Sequence, residues 1–273
     1  MEKTLKFEHN GFLRRMKSML KVDFRRMFRS KVFYIVVACA LLVPVLMTVM
    51  MTMMDGMESV NQQTGEITII EAPESVWEFI GTLPTDNGGA AAGGGMDVMS
   101  MCNINMVFMG AAVFICLFIS EDFRCGYAKN LFTVRPGKSD YVISKTAAGF
   151  VCGALMLVGY FIGTLLGGAI SGLSFELVGF SVFNIIMCIL AKIFLMLVFI
   201  SIFVIVSIAA KQRTWLSICG SLGAGMLLFM TVSMITPLNS TAIHLFLCLA
   251  GGALFAVGLG AVSGVILNKS SLV

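Results

Sequence analysis

The sequence predicts an all-α, polytopic membrane protein: six transmembrane helices, both termini cytoplasmic, and an amphipathic helix in the interface ahead of the first span. Three observations carry this expectation. Hydrophobic residues make up 58% of the 273 and charged residues only 12%, about half the charge of a soluble domain. The apolar residues come in blocks of about 20, the length that crosses a ~30 Å hydrocarbon core at 1.5 Å per helical residue. The remaining charges are sorted by sign between alternate loops.

The spans follow in order. The first runs from about Val32 to Met54, the second from Asn103 to Ser120 and the third from Thr146 to Ile170. The fourth is a longer tract from Phe180 to Ala210, interrupted by Lys192, and reads either as one helix or as a short outer helix followed by a span starting near Ala191. The last two run from about Trp215 to Ile235 and from His244 to Leu267. The expected organisation is a cytoplasmic basic segment at 1–31, a six-helix domain at 32–267 and a short cytoplasmic tail at 268–273. Within the domain, 55–101 is an outer loop and 120–145 an inner one.

Orientation comes from Lys and Arg, which stay on the cytoplasmic side of membrane helices. Residues 1–31 carry ten of them, the loop between spans two and three carries five, and Lys211, Arg213 and Lys269 mark the next inner turn and the tail. The first outer loop instead carries Asp55, Glu58, Glu66, Glu71, Glu74, Glu78, Asp86 and Asp97, with Glu176 in the second outer loop and no basic residue in either. Lys192 alone departs from this partition. The first apolar block is too long for a signal-peptide core, so it is expected to remain as an anchor. The eight cysteines are scattered, without a CxxC pair or metal-ligand spacing, and read as small packing residues.

In 11–31 the residues Leu13, Met16, Leu20, Phe24 and Met27 fall in one stripe at helical spacing, with Arg14, Arg15, Lys21, Arg25, Arg26 and Arg29 opposite. That pattern suits a helix lying at the inner interface, held there by anionic lipid. Asp23 interrupts the stripe and has Arg26 one turn on as a partner. Nucleic-acid binding is disfavoured, because the basic face adjoins a span and lacks aromatic platforms.

Lys192 lies in a span, where a lysine costs roughly 2.5–3.5 kcal/mol at the bilayer centre. Its distance from Lys211 places it near the outer boundary. There it either snorkels outward, the favoured reading, or faces a cavity on the translocation path. Glycines recur at four-residue spacing in the third span (Gly149 and Gly153, then Gly159, Gly163 and Gly167) and in the last (Gly260 and Gly264), which lets helices approach closely within the bundle or across a dimer. Gly220, Gly223 and Gly225 mimic a dinucleotide fingerprint, but no strand precedes them. In the outer loop, Ile67, Ile69 and Ile70 suggest a short strand, Ser75 is an N-cap for a short helix around Trp77, and Asn87–Gly95 has a flexible composition. The acidity of this loop would attract a cationic peptide leaving the cell; the plainer reading is a soluble cap depleted of positive charge by topology.

The inner loop, Ile119 to Lys145, runs from an acidic pair through Gly126 and a short basic helix, then turns at Pro136 to re-enter the membrane. Glu121, Asp122, Gly126, Lys129, Leu131, Lys138, Tyr141 and Lys145 give it a pattern that resembles the inner loop of the ABC-2 family of ATP-binding-cassette transporter permeases. Tyr127 stands where that family has a small hydroxyl residue, and 132–136 departs from the family's run. The segment VDFRRMFRSKVFYI, with Asp23, Arg26 and Arg29, resembles the family's amphipathic connecting helix, and Pro44 lies within the first span as is common there. The resemblance covers essentially the whole chain. It implies an exporter permease that works as a dimer with a second copy or paralogue, on two cytoplasmic ATPase subunits. ATP and Mg would sit on those subunits, and this chain would hold no cofactor. Glu121, Asp122, Arg124, Gly126 and Lys129 become candidates to couple the ATPase, and Asp23, Arg26 and Arg29 candidates on the interfacial helix.

The chain has no nucleotide site of its own. Gly137, Lys138 and Ser139 mimic the end of a phosphate-binding loop, but Phe132 occupies the place of its first glycine. Enzyme readings are also disfavoured, since His9 and His244 lie far from any carboxylate pair and cannot complete a metal site with Glu121 and Asp122. The rival is an ion channel or proton-coupled carrier working without an ATPase. Such proteins place charge inside their spans, as Lys192 alone is here.

Overall fold

The computed structural model describes residues 2–60, 67–69, 73–81, 103–134 and 138–269. Among these lie eight α-helices: α1 (Glu2–Arg29), α2 (Lys31–Met53), α3 (Met106–Arg124), α4 (Tyr127–Val134), α5 (Lys138–Ser171), α6 (Val182–Ala210), α7 (Thr214–Ile235) and α8 (Ala242–Lys269). By length and composition α2, α3, α5, α6 and α8 can each cross a membrane, and α7 adds the apolar stretch Thr214–Phe229.

Element boundaries have local causes. Ser30 is extended, at φ −77 and ψ 129, and separates the basic helix α1 from the apolar helix α2. Gly126 adopts φ +74 between α3 and α4, a left-handed conformation that glycine enters without a Cβ penalty. α5 begins earlier than the expected third span and absorbs the end of the inner loop, so Tyr141, Ser144 and Lys145 all sit on it. α6 is one continuous helix through Lys192, so the tract is not divided near Ala191.

α3 is the central strut, with 67% of its most apolar window buried, whereas α8 is peripheral at 11%. α5 packs on α2 along one side and meets α6, α3, α1 and α8 on others; α6 also holds α8, α3 and α7. α2 approaches α5 closely at two glycines. There a Cβ added at Gly163 would collide with the Leu41 carbonyl oxygen and lie 2.6 Å from Pro44 Cγ, and one at Gly167 would strike Thr48 Oγ1 and lie 2.9 Å from Val45 Cα. Gly149 and Gly153 face side chains of α3 and α6, while Gly260 and Gly264 meet nothing within 4 Å. The third-span glycines thus pack inside the bundle, whereas a Cβ at either last-span glycine would meet open space even though Gly264 itself is buried. Gly220 and Gly225 likewise meet neighbouring side chains, and Gly223 meets none.

At the end away from α1, strands β1 (Glu58–Val60) and β2 (Ile67–Ile69) pair antiparallel, with Ser59 opposite Thr68. Ile70 and Asn87–Gly95 lie outside the described residues. Ser75 caps a 3-10 turn, Val76–Phe79, through a capping box with Glu78. Burial raises the Glu78 carboxyl above its ordinary pKa. The Val76 amide donates to Ser174 O at 3.2 Å, the Ile104 amide to Phe79 O at 2.8 Å, and Trp77 meets Phe175 and Phe180 edge-on. This turn covers the ends of α5, α6 and α7. At the opposite end, Lys138 Nζ donates to the Leu267 carbonyl at 2.7 Å, tying the start of α5 to the last turns of α8.

Candidate functional site

The site is built from three helix segments at the α1 end. α1 turns Met19, Asp23 and Met27 into the protein, at 3%, 0% and 0% exposure, with Met16, Leu20 and Phe24 half-buried beside them. Asp23 therefore lies at the centre of the buried face rather than interrupting it. α3 supplies Asp122 from its last turn, and α5 supplies Tyr141, Ser144 and Lys145. Each of these is buried.

Lys145 Nζ bridges the two carboxylates, 2.8 Å from Asp23 Oδ1 and 2.7 Å from Asp122 Oδ2. Arg26 Nη2 donates to Asp122 Oδ1 at 2.6 Å, and its Nη1 lies 3.9 Å from Asp23 Oδ1. The Ser144 hydroxyl donates to Asp23 Oδ2 at 2.6 Å and the Tyr141 hydroxyl to Asp122 Oδ2 at 3.1 Å. Every carboxylate oxygen thus has a donor or cation partner, and two acids balance two bases. Aromatic faces wall the cluster: Phe118 lies 4.1 Å from Lys145 Nζ, and Tyr127 lies 4.2 Å from Arg26 Cζ, a favourable placement for partly desolvated cations. Burial is the largest single influence on Arg26 and opposes its charge, but the charge and hydrogen bond of Asp122, together with Tyr127 and Asp23, outweigh it and the pKa is raised. Burial, followed by the charge on Asp23, raises the Tyr127 phenol and keeps it neutral. Arg15 Nε, 3.9 Å from Asp140 Oδ2, adds a second tie between α1 and α5.

Both carboxylates of this cluster are buried and each of their oxygens has a partner. The cluster's charges are compensated, although Arg26 Nη1 is buried without a hydrogen-bond partner, and the three helices are held to one another through it.

The remaining candidates are dispersed. Glu121 and Arg124, neighbours of Asp122 on α3, point away from the cluster into a cavity between α2, α3 and α7. Arg29 and Lys129 are exposed. Among the described residues no group of His, Cys, Asp and Glu side chains comes together that could hold a metal.

Lys192 does not snorkel. It is 0% exposed and turned inward, donating to Asn105 Oδ1 at 2.8 Å and to Thr236 Oγ1 at 3.0 Å. Asn105 Nδ2 donates onward to Ser233 Oγ at 3.0 Å. The physical reason is that α6 continues about 15 Å beyond Lys192 toward the helix N-terminus at Val182, so its amine cannot reach the helix end, whereas acceptors at the start of α3 and the end of α7 lie within hydrogen-bond range. No carboxylate among the described residues pairs with it. Because nothing there depends on its charge, Lys192→Met is expected to shift the thermal unfolding midpoint far less than Lys145→Met, with both measured in one detergent.

Sequence reasoning missed Ser144, Asn105 and Thr236 as partners. A Ser or Thr in an apolar helix signals only that it can bond to its own backbone, as Thr164 does to Tyr160 O at 2.9 Å. Tyr127 did carry a signal, as the departure from the small hydroxyl residue, and its ring now covers Arg26.

Together the fold and site define an α-helical protein with the make-up of a multi-pass membrane protein, its basic N-terminal helix clamped to two of its apolar helices by buried charges. No family model, characterised protein or solved structure matches the chain.

Proposed function

We propose that this chain is the permease subunit of an ATP-binding-cassette exporter of the ABC-2 type. On this reading α2, α3, α5, α6, α7 and α8 are six spans of a bacterial cell membrane, and α7, at 22 residues, is long enough for a ~30 Å core. Both termini and the inner loop face the cytoplasm, α1 lies at the inner interface, and the chain pairs with a second copy or paralogue. Separate cytoplasmic ATPase subunits hold ATP and Mg. The acidic outer loop favours export of a peptide or amphipathic toxin.

One observation carries the proposal. Asp23, Arg26, Asp122, Tyr141 and Lys145, residues in which the sequence resembles that family, lie far apart along the chain and converge in one buried cluster. An ATPase pressing on α4, through Gly126 and Lys129, or on the exposed side of α1 near Arg29, would displace α3 and α5 through that cluster. Glu121 and Arg124 stand beside this path. The test is coexpression with a partner ATPase: the pair should copurify, and proteoliposomes should transport cargo only with ATP. Transport by the chain alone in ATP-free liposomes would overturn the proposal in favour of a channel or proton-coupled carrier, a reading supported by the buried Lys192.

A further inference from the structure

We infer that the loop joining α5 to α6 is seated in the outer leaflet of the bilayer, with Phe175, Leu177 and Val178 among the upper acyl chains of phospholipids. The loop, residues 172–181, reads GLSFELVGFS and turns at Gly172 and Gly179, whose φ angles are +73 and +81. It contains no lysine or arginine, and Glu176 is its one charge.

One side of the loop is fixed to the protein. The Leu173 amide donates to Gly168 O at 3.1 Å and Ser174 O accepts from the Val76 amide, Ser75 and Ser174 form a parallel bridge, and Trp77 packs on Phe175 and Phe180. The other side is uncovered. Ile170, Phe175, Leu177, Val178, Val182 and Phe183 are each at least 40% exposed. So many large apolar side chains in so short a stretch exceed what a water-facing surface carries without a partner.

Level and continuity select lipid as that partner. Gly167 on α5 lies against Val45 and Thr48 on α2, so the end of α5 at Ser171 is level with the end of α2 at Met53. α2 has 23 residues, about 34 Å at 1.5 Å each, against a hydrocarbon core of ~30 Å. The loop therefore stands at the edge of the core, where water and headgroups still reach its unpaired backbone groups. Glu176, also exposed, stops it there, because a carboxylate is costly deeper in the bilayer. On either side the exposed apolar residues continue along the helices, through Ile162 and Leu166 on α5 and Ile186 on α6, so lipid that covers these flanks covers the loop as well. The inference rests on the membrane placement of α5 and α6 and is independent of any ATPase.

In the test, the full chain is reconstituted in phosphatidylcholine vesicles that include a phosphatidylcholine with a photoactivated carbene precursor high on one acyl chain. A parallel sample receives a water-soluble carbene precursor, and labelled residues are mapped by peptide mass spectrometry. Phe175, Leu177 and Val178 should take the lipid label to the same extent as Ile162 and Leu166 and be protected from the water-soluble one. The double variant Leu177→Asp with Val178→Asp should lower lipid labelling of the loop about tenfold, since carboxylates are held in water, and leave Ile162 and Leu166 labelled as before. Labelling of the loop mainly by the water-soluble reagent overturns the inference. Labelling by neither reagent overturns it too, because protein, such as a second copy of the chain, would then cover the loop. Lipid labelling undiminished in the double variant has the same consequence. If Ile162 and Leu166 also escape the lipid label, the membrane placement itself fails, and the inference with it.

Discussion

Lys145→Met is expected to destabilise the protein by about 3–5 kcal/mol, the cost of removing one partner from a buried ion cluster. Without the ammonium, Asp23 and Asp122 remain fully buried with only Arg26 between them, and Arg26 reaches Asp23 no closer than 3.9 Å. The side-chain volume is nearly unchanged, so lost packing does not explain the effect. Adding Asp23→Asn restores neutrality and leaves the 2.6 Å Arg26–Asp122 pair intact. The double variant should therefore recover about 1–3 kcal/mol relative to Lys145→Met alone, a coupling typical of residues in one network. Arg26→Gln should cost less, because its side chain is 30% exposed and water can solvate what it leaves. Thermal or denaturant unfolding in detergent measures all of these. A Lys145→Met protein as stable as the parent would mean that the cluster does not bind the helices together.

The second large effect is expected at the α2–α5 contact. Gly163→Val should destabilise by more than the ~1–3 kcal/mol of ordinary overpacking, because the obstacle is the Leu41 carbonyl together with the Pro44 ring and neither can rotate aside. Pro44 is itself fixed, since its ring closes onto the backbone. Gly159→Ala, one turn away, meets only Val37 O at 3.8 Å and should be neutral or slightly stabilising through its better helix propensity. Gly260→Ala, facing open space, should behave in the same way unless a second copy covers that face. Comparing these variants by unfolding midpoint, with oligomeric state read in parallel, separates bundle packing from association. If Gly163→Val matched Gly159→Ala, the close approach of α2 to α5 would be refuted.

The two contacts bear on one another. α5 is held at its basic end by the charge cluster and along its length by α2, so a displacement entering at α1 or α4 has a rigid element to act on. The opposite end is covered by the capped turn at Val76–Phe79, packed over Ile185 and Leu238 through Ile80.

Much of this was legible in the sequence. Helix positions follow from the apolar blocks, and the helices match them to within a few residues except at α5, although only five of those described are long and apolar enough to cross a membrane where six spans were expected. The Ser75 cap was legible because Ser-x-x-Glu is a local motif whose partners lie three residues apart. The Asp23 contacts were not, because its main partner, Lys145, is 122 residues away, and a sequence read alone offers only the neighbour one turn on. Lys192 was misjudged for a related reason: counting apolar residues estimates depth along a helix but not the direction in which a side chain points.

By itself the sequence determined solvent and secondary structure, because hydrophobicity and charge are properties of residues and their spacing. It also held the inventory of the site, in Asp23, Arg26, Asp122 and Lys145. Only the tertiary structure decided that these four neutralise one another in a single buried cluster, that Glu121 and Arg124 turn to a cavity instead, and that Lys192 faces inward. Burial and pairing depend on which helix faces meet, and that is settled by long-range packing that no local pattern encodes.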